Sequence, residues 1–417
     1  MSFVALNGYD VEHASSKVVY ENLFPAIQHI NGKGVTDKYT KTDDVDSVTY
    51  IDVMRVLPYA PRFRQLGAAN NGSFHNQKNE GGFNNAPQSN HYTIPVDLIY
   101  DEGVPITSAQ EYANPDALQA IVMKQIVDVA ALSINVATYA KQIAGYFRNG
   151  DNFDKAKTNV VGSIVAANIT ADEIAAAVYA YDPAAVGQAA NAPTAAFQNA
   201  NASFDDGIPE IGALTVPSDE RQAFVSNAFK VLMLGQYKQN ASDQAVGILG
   251  AGFINPFTGT KGNRIDSRTG MVGTYDGVDM FLFNKVTRRF VYVALGLLGT
   301  ANDSAGKLPT VRGLLDQIGA MIVYGAGTCR GIVGPSVTAN VNTYFGGVYI
   351  LPKMKVGIDV LHGATIKMVI DGGAELATKW TAANIADIMN TIKFTPIDGK
   401  VVTGAGVVAG FNTGTTN

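Results

Sequence analysis

NPDALQAIVMKQIVDVAALSINVATYAKQIAGYFRNG, residues 114–150, is the stretch from which the fold can be read. Asn114 supplies a helix cap, and Pro115 sits well in a first turn because its φ is already helical and its missing N–H is not needed there. Apolar residues then recur at Leu118, Ile121, Val122, Ile126, Val129, Leu132, Val136, Ile143 and Phe147 until Gly150 ends the pattern. The spacing predicts a helix over 115–148, which at 1.5 Å per residue would be about 50 Å long, far beyond the usual three or four turns. Such a helix is a structural spine. A carboxylate placed on its buried face, at Ile126 or Val129, should prevent folding.

Upstream lies VTYIDVMRVLPYAPRFRQL, residues 48–66, strand-like but carrying Pro58 and Pro61, which belong at an edge or bend. Residues 67–91, GAANNGSFHNQKNEGGFNNAPQSNH, have almost no aliphatic side chains and are crowded with Asn and Gly, which turn readily. YTIPVDLIYDEGVPI, residues 92–106, is strand-like again, so the whole reads as a long hairpin with an oversized polar tip. Residues 1–50 hold no sustained period and read as an arm lying on something else.

Downstream, SIVAANITADEIAAAVYAY (163–181) has a helical pattern, and the Ala/Asn-rich QAANAPTAAFQNANASF (188–204) reads as a link. QAFVSNAFKVLML (222–234) fits a strand or a helix. RTGMVGTYDGVDMFLFNKV (268–286) reads as strand pieces punctuated by Gly273 and Gly277. VRGLLDQIGAMIVY (311–324) has a helical pattern. TYFGGVYILPKMKVGIDVLHGATIKMVIDG (343–372) alternates on both sides of His362-Gly363 and predicts an antiparallel hairpin.

The composition narrows the function. Of 417 residues, 47% are hydrophobic and only 16% charged, against a usual quarter, so polarity comes from Gly, Asn and Thr and suits close packing against neighbours. A net charge of −5 provides no basic field for gripping nucleic acid. No basic stretch followed by an apolar run opens the chain, and no 18-residue apolar run occurs, so neither a signal peptide nor a membrane span is expected. The closing Gly/Thr tail, residues 410–417, would fray unless a partner chain held it.

Residues for chemistry are scarce. Cys329, within GAGTCRGIVG, is the single cysteine, which excludes an internal disulfide and thiolate metal clusters; it reads as a structural thiol. The histidines, His13, His29, His75, His91 and His362, have no metal-ligand spacing, and His75 and His91 read as loop surface. Asp43-Asp44 and Asp205-Asp206 read as solvated pairs rather than cation ligands. Gly404-Ala405-Gly406 imitates a dinucleotide fingerprint but lacks the following helix and acidic residue. No phosphate loop or nucleophile elbow is present, so no catalytic, cofactor or metal residue is assigned and no enzyme activity is expected. The charges around the hairpin are more telling. Arg55, Arg62 and Arg64 on the outgoing side and Asp97, Asp101 and Glu102 on the return either pair within the hairpin or meet a neighbouring subunit, and the two need not exclude each other.

This order of elements resembles the Hong Kong 97 fold of tailed-bacteriophage major capsid proteins. The local flavour of TIPVDLIYDEGVPIT (93–107) and TGMVGTYDGVDMFLFNKV (269–286) adds to it. The resemblance implies an α+β chain with an N-terminal arm at 1–57 and an extended loop at 58–107, its tip at 67–91. A peripheral domain would take 108–160 and 340–372 with the spine helix 115–148, an axial domain 161–339, and a C-terminal segment 373–417. It implies a structural subunit of the virion, assembled in the host cytoplasm into hexamers and pentamers of an icosahedral shell around DNA that it does not read. Its partners would be copies of itself, a separate scaffolding protein, a portal and decoration proteins, with no cofactor and no membrane. The inter-subunit contacts would come from Arg55, Arg62, Arg64, Phe74, Lys78, Phe83, Asp97, Asp101 and Glu102. Some members weld neighbours through a Lys–Asn bond, but Lys78 reads as a solvated loop lysine. The rival readings are an encapsulin-like compartment shell and, from another class, an enzyme with an unrecognised site.

Overall fold

The computed structural model describes residues 23, 27–28, 33–40, 48–57, 89–100, 104–106, 115–148, 178–185, 190–233, 253–254, 270–298, 306–342, 347–394, 401–402 and 408–409. The first elements are strands β1 (Thr36–Thr40), β2 (Tyr50–Val56), β3 (Ser89–Pro95), β4 (Leu98–Tyr100) and β5 (Val104–Ile106), then helix α1 (Pro115–Arg148). Next come β6 (Tyr179–Tyr181), α2 (Pro193–Ala202), β7 (Arg221–Val225), β8 (Phe253–Ile254), β9 (Met271–Tyr275), β10 (Val278–Leu282), α3 (Lys285–Ala294) and α4 (Leu308–Asp316). The chain continues through β11 (Ile318–Tyr324), β12 (Thr328–Asn342), β13 (Gly347–Val360), β14 (Ile366–Asp371) and α5 (Ala382–Thr391). The fold is α+β.

Seven strands, in the order β6-β14-β11-β7-β10-β9-β8, form one sheet that is buried on both faces. Its interior strand β11 is buried at all seven positions, and its side chains divide between the faces. Met321 and Val323 join the core under α1, α3, α4 and α5, while Ala320, Ile322 and Tyr324 join the core under α2. This is the two-residue period of a strand covered on both sides. Between β9 and β10, Asp276 (φ 52°) and Gly277 (φ 76°) make the tight turn; Asp is one of the few non-glycine residues that tolerate that conformation.

The second sheet has the order β1-β12-β13-β4, with β5 also on β13. Against it lies the middle of α1, and Leu23 and Ile27 complete that core with Ile126, Val127, Ala130, Ala131, Ile134, Met354, Val356 and Ile358. The helix comes unusually close to β13 at Gly145, where a Cβ would stand 2.7 Å from Val360 Cβ.

Several expectations change. The long hairpin is β12 with β13, paired from Thr328↔Val360 to Asn342↔Gly347. Strand β14 leaves that sheet after His362-Gly363 and pairs with β11 and β6. Alternation marked both strands correctly but carries no information on partners. Residues 311–324 are half helix and half strand, because IGAMIVY, a fully buried strand, has no alternation to separate it from a helix. The 188–204 link contains α2, begun at Pro193. The 163–181 pattern lies outside the described residues except at its end, which is strand β6. The ambiguous segment at 222–234 is a strand followed by a helical turn at 227–233. Finally, β2 pairs with β3 from Tyr50↔Pro95 to Val56↔Ser89, so the ribbon begins before residue 58. Its return side ends at Pro95, and β4 and β5 belong to the second sheet.

Candidate functional site

Two regions concentrate polar side chains in unusual positions. The first is the ribbon β2–β3 with the point where the chain passes between the sheets. Ile51, Val53, Ile94 and Val96 face inward onto Cys329, Val333 and Leu361. On the opposite face Tyr50, Met54 and Val56 are exposed at 58%, 58% and 46%, beside exposed His91 and Pro95. A two-stranded ribbon is marginal alone, so the inward face anchors it, and the outward face, where Asp52 and Thr93 separate the exposed apolar side chains, is available to something else.

After α1, the described residues pass directly between the sheets at two links. Residues Gly325–Gly327 link β11 to β12, and Leu361 to Thr365 link β13 to β14. The Leu361 amide donates to Gly327 O at 2.7 Å, and a Cβ on Gly327 would lie 1.9 Å from Thr365 Oγ1, so only glycine allows the two crossings to touch. His362 Nδ1 accepts from the Ala364 amide at 3.2 Å, a local cap rather than a ligand geometry.

The second region is the arm. Gln28 donates its amide to Asn135 Oδ1 (3.0 Å), accepts at Oε1 from Tyr139 OH (2.7 Å), and accepts at its carbonyl from Gln222 Nε2 (2.6 Å). Lys33 Nζ lies 2.6 Å from Asp279 Oδ2 on β10. Asp37 meets Arg330 bidentately, Oδ1 on Nε at 2.5 Å and Oδ2 on Nη2 at 2.7 Å. Both side chains are buried, and Arg330 Nη1 also reaches Thr138 Oγ1 on α1. The described part of the arm therefore lies on its own subunit, tying the helix to both sheets.

Of the candidate contact residues, Arg55 is half-buried on β2, opposite Asn90, and its Nη2 donates to Ala326 O at 2.8 Å. Asp97 is exposed just before β4, beyond the ribbon ladder. Arg62, Arg64, Phe74, Lys78, Phe83, Asp101 and Glu102 lie outside the described residues, as do His13, His29 and His75. Cys329 is fully buried, and burial pushes its thiol pKa up, away from a reactive thiolate. Sequence reasoning passed over Asp37 and Arg330, since a single Asp and a single Arg 293 residues apart leave no signal in one sequence.

Among the described residues no group of three His, Cys, Asp or Glu side chains is placed to hold a metal, and no helix is long and apolar enough to cross a membrane. A polar cavity of about 510 Å³ is lined by Asn201, Asp205, Ser218, Arg221 and Asp276 among others. There the Arg221 guanidinium donates through Nη1 and Nη2 to Asn201, Asp205 and the Val216 carbonyl, while its buried Nε has no hydrogen-bond partner among the described residues. Val401–Val402 pairs with Val408–Ala409, so the residues after Gly404-Ala405-Gly406 form a strand where a dinucleotide site needs a helix.

No protein-family model matches the chain, and no curated protein matches it in sequence. Solved phage capsids do match in structure. The capsid of Ralstonia phage GP4 is similar over 84% of this chain and 89% of its own, at 11% identity and a TM-score of 0.44. The capsid of cyanophage P-SCSP1u covers 81% and 86% at 13% identity and a TM-score of 0.41. A virus-like particle from Pyrococcus furiosus covers 87% and 98% at 9% identity and a TM-score of 0.38.

Proposed function

We propose that this chain is a major capsid protein that closes an icosahedral phage head around double-stranded DNA as hexamers and pentamers. The observation that carries the reading is the ribbon, anchored on one face and exposing Tyr50, Met54 and Val56 on the other, in a chain whose 34-residue helix both sheets use as a common support. A ribbon built in that way gives a subunit a surface to lay on its neighbour. Arg62, Arg64, Phe74, Lys78, Phe83, Asp101 and Glu102 would extend the contact through the loop, with Arg55 and Asp97 at its base. Charge pairs there would set register more than affinity. The role is structural, not catalytic, and its place is the virion, after assembly in the host cytoplasm. A scaffolding protein, a portal and decoration proteins complete the set of partners. The net charge of −5 suits a wall that must let DNA in and out.

Electron microscopy of the purified chain tests this, together with the contents of particles isolated from producing cells. Closed shells with DNA support a phage head; closed shells filled with a protein favour a compartment of encapsulin type. A chain that stays monomeric at every concentration removes both. Replacing Asn70–Asn90 by an Asp-Gly turn sharpens the test. That segment has few apolar groups, and ordering each residue costs about 1–2 kcal/mol, so its contacts must come from outside its own domain. Circular dichroism and sedimentation velocity should show a folded subunit that forms no shells. Shells of normal size would defeat this use of the loop.

A further inference from the structure

Three successive carbonyls at the first crossing are taken by three different parts of the chain. Gly325 O accepts from Thr36 Oγ1 of the arm at 3.0 Å, Ala326 O from Arg55 Nη2 of the ribbon at 2.8 Å, and Gly327 O from the Leu361 amide of the second crossing at 2.7 Å. These crossings carry the chain from one sheet to the other, so their geometry sets the angle between the sheets. We infer that Arg55 and Thr36 make the crossings a coupled hinge, in which the position of the ribbon and the arm is read out as the angle between the two sheets.

The chemistry favours transmission over simple bracing. Arg55 is half-buried, and its Nε is buried with no hydrogen-bond partner among the described residues, so the guanidinium holds the crossing by one end and is not locked into a closed network. A charged donor on a carbonyl is a strong contact in such a setting, worth more than a neutral pair. Gly325 and Gly327 flank the gripped carbonyl and carry no side chain to resist rotation. A pull on β2 therefore reaches Ala326 directly and, through Gly327 O, the Leu361 amide. Arg55 is on this view a positioning residue. The consequence for assembly, that a neighbour holding the ribbon resets the hinge, rests on the capsid reading; the coupling itself belongs to the single subunit and is tested there.

Amide hydrogen exchange on the unassembled full chain measures it. Asn90→Pro, on the exposed strand opposite Arg55, breaks the ladder without removing a side chain that packs on the crossings. It should speed exchange of the Leu361 amide about tenfold with Arg55 present and less than about twofold together with Arg55→Met. Arg55→Lys, which keeps a charged donor, should restore most of the response. Equal factors in both backgrounds, or no response at Leu361 at all, would overturn the coupling. Ser89→Pro, one step further out, repeats the cycle with a milder lesion should Asn90→Pro fail to fold. In shells, the Leu361 amide should exchange more slowly than in free subunits, and Arg55→Met should remove that difference; an unchanged difference counts against the hinge. Absence of shells from the unmutated chain counts against the capsid reading alone.

Discussion

Asp37→Asn removes one charge from a pair that has no water to replace it. The Asp37 and Arg330 side chains are 1% and 0% exposed and share two hydrogen bonds of 2.5 and 2.7 Å. An exposed pair of this kind would be worth up to about 1 kcal/mol, but here the substitution strands a guanidinium in the interior, and the cost rises to about 3–5 kcal/mol. Trp380 is the single tryptophan; it is 1% exposed, stacks on Phe147 and donates from Nε1 to Gln317 at 2.8 Å, so its emission reports unfolding of the main core. Urea titration followed by that emission should show the midpoint falling by roughly 1 M or more, taking a slope of about 3 kcal/mol per molar. The double variant Asp37→Leu with Arg330→Met should recover much of the loss, because no charge is then left alone. A loss below about 1 kcal/mol for Asp37→Asn would refute the claim that the pair is desolvated and holds the arm.

Ile126→Asp should abolish soluble expression, its site being 3% exposed, whereas Val129 is only half-buried and Val129→Asp should yield folded but weakened subunits by circular dichroism. Cys329→Ser should leave shell formation intact and cost about 1 kcal/mol for a hydroxyl placed among Val53, Ile94 and Val333; complete loss of particles from a folded subunit would reveal a duty for the thiol. Burial raises the pKa of Tyr139, Tyr146, Tyr181 and Tyr292 and pushes Tyr275 up to about 12. These phenols ionise first in the unfolded chain, so their stabilising contribution is complete below pH 10 and fades as the pH climbs towards 12 and beyond. The part of the tyrosinate absorbance that belongs to these five buried phenols should then appear together with loss of the Trp380 signal, and its appearance in a folded chain would contradict their burial. Charge reversal at Arg62 and Arg64 should weaken assembly more at low salt than at high salt, because screening sets in beyond about 10 Å at 0.1 M.

What could be read without coordinates was what local periodicity encodes. A cap, a first-turn proline and an unbroken apolar stripe specify Pro115–Arg148; of the two glycines read as breaks, Gly277 does close the β9–β10 turn, whereas Gly273 lies inside β9. Pairing was harder. Residues 347–360 and 366–371 both alternate, yet one strand lies beside β12 and the other beside β11, and only the crossing at 361–365 explains why. The buried strand at 318–324 gave no alternation because both of its faces are covered. At the candidate site, the ribbon followed from composition and turn chemistry. Gln28, Asp37, Arg55 and Arg330 acquire their roles only from partners distant in sequence, which no local pattern marks.

The arm also has a timetable. Asp37 leaves the ribosome 293 residues before Arg330, and Gln28 leaves 194 before Gln222. At about 5–20 residues per second, Asp37 waits roughly 15–60 s for its counter-ion. During that interval Leu23 and Ile27 also lack Met354, Val356 and Ile358, which come later still. A nascent chain thus cannot finish the surface around its helix until most of its length has been made. Sister chains growing on the same messenger would meet while that surface is still incomplete, and stable association would be deferred to released, finished subunits.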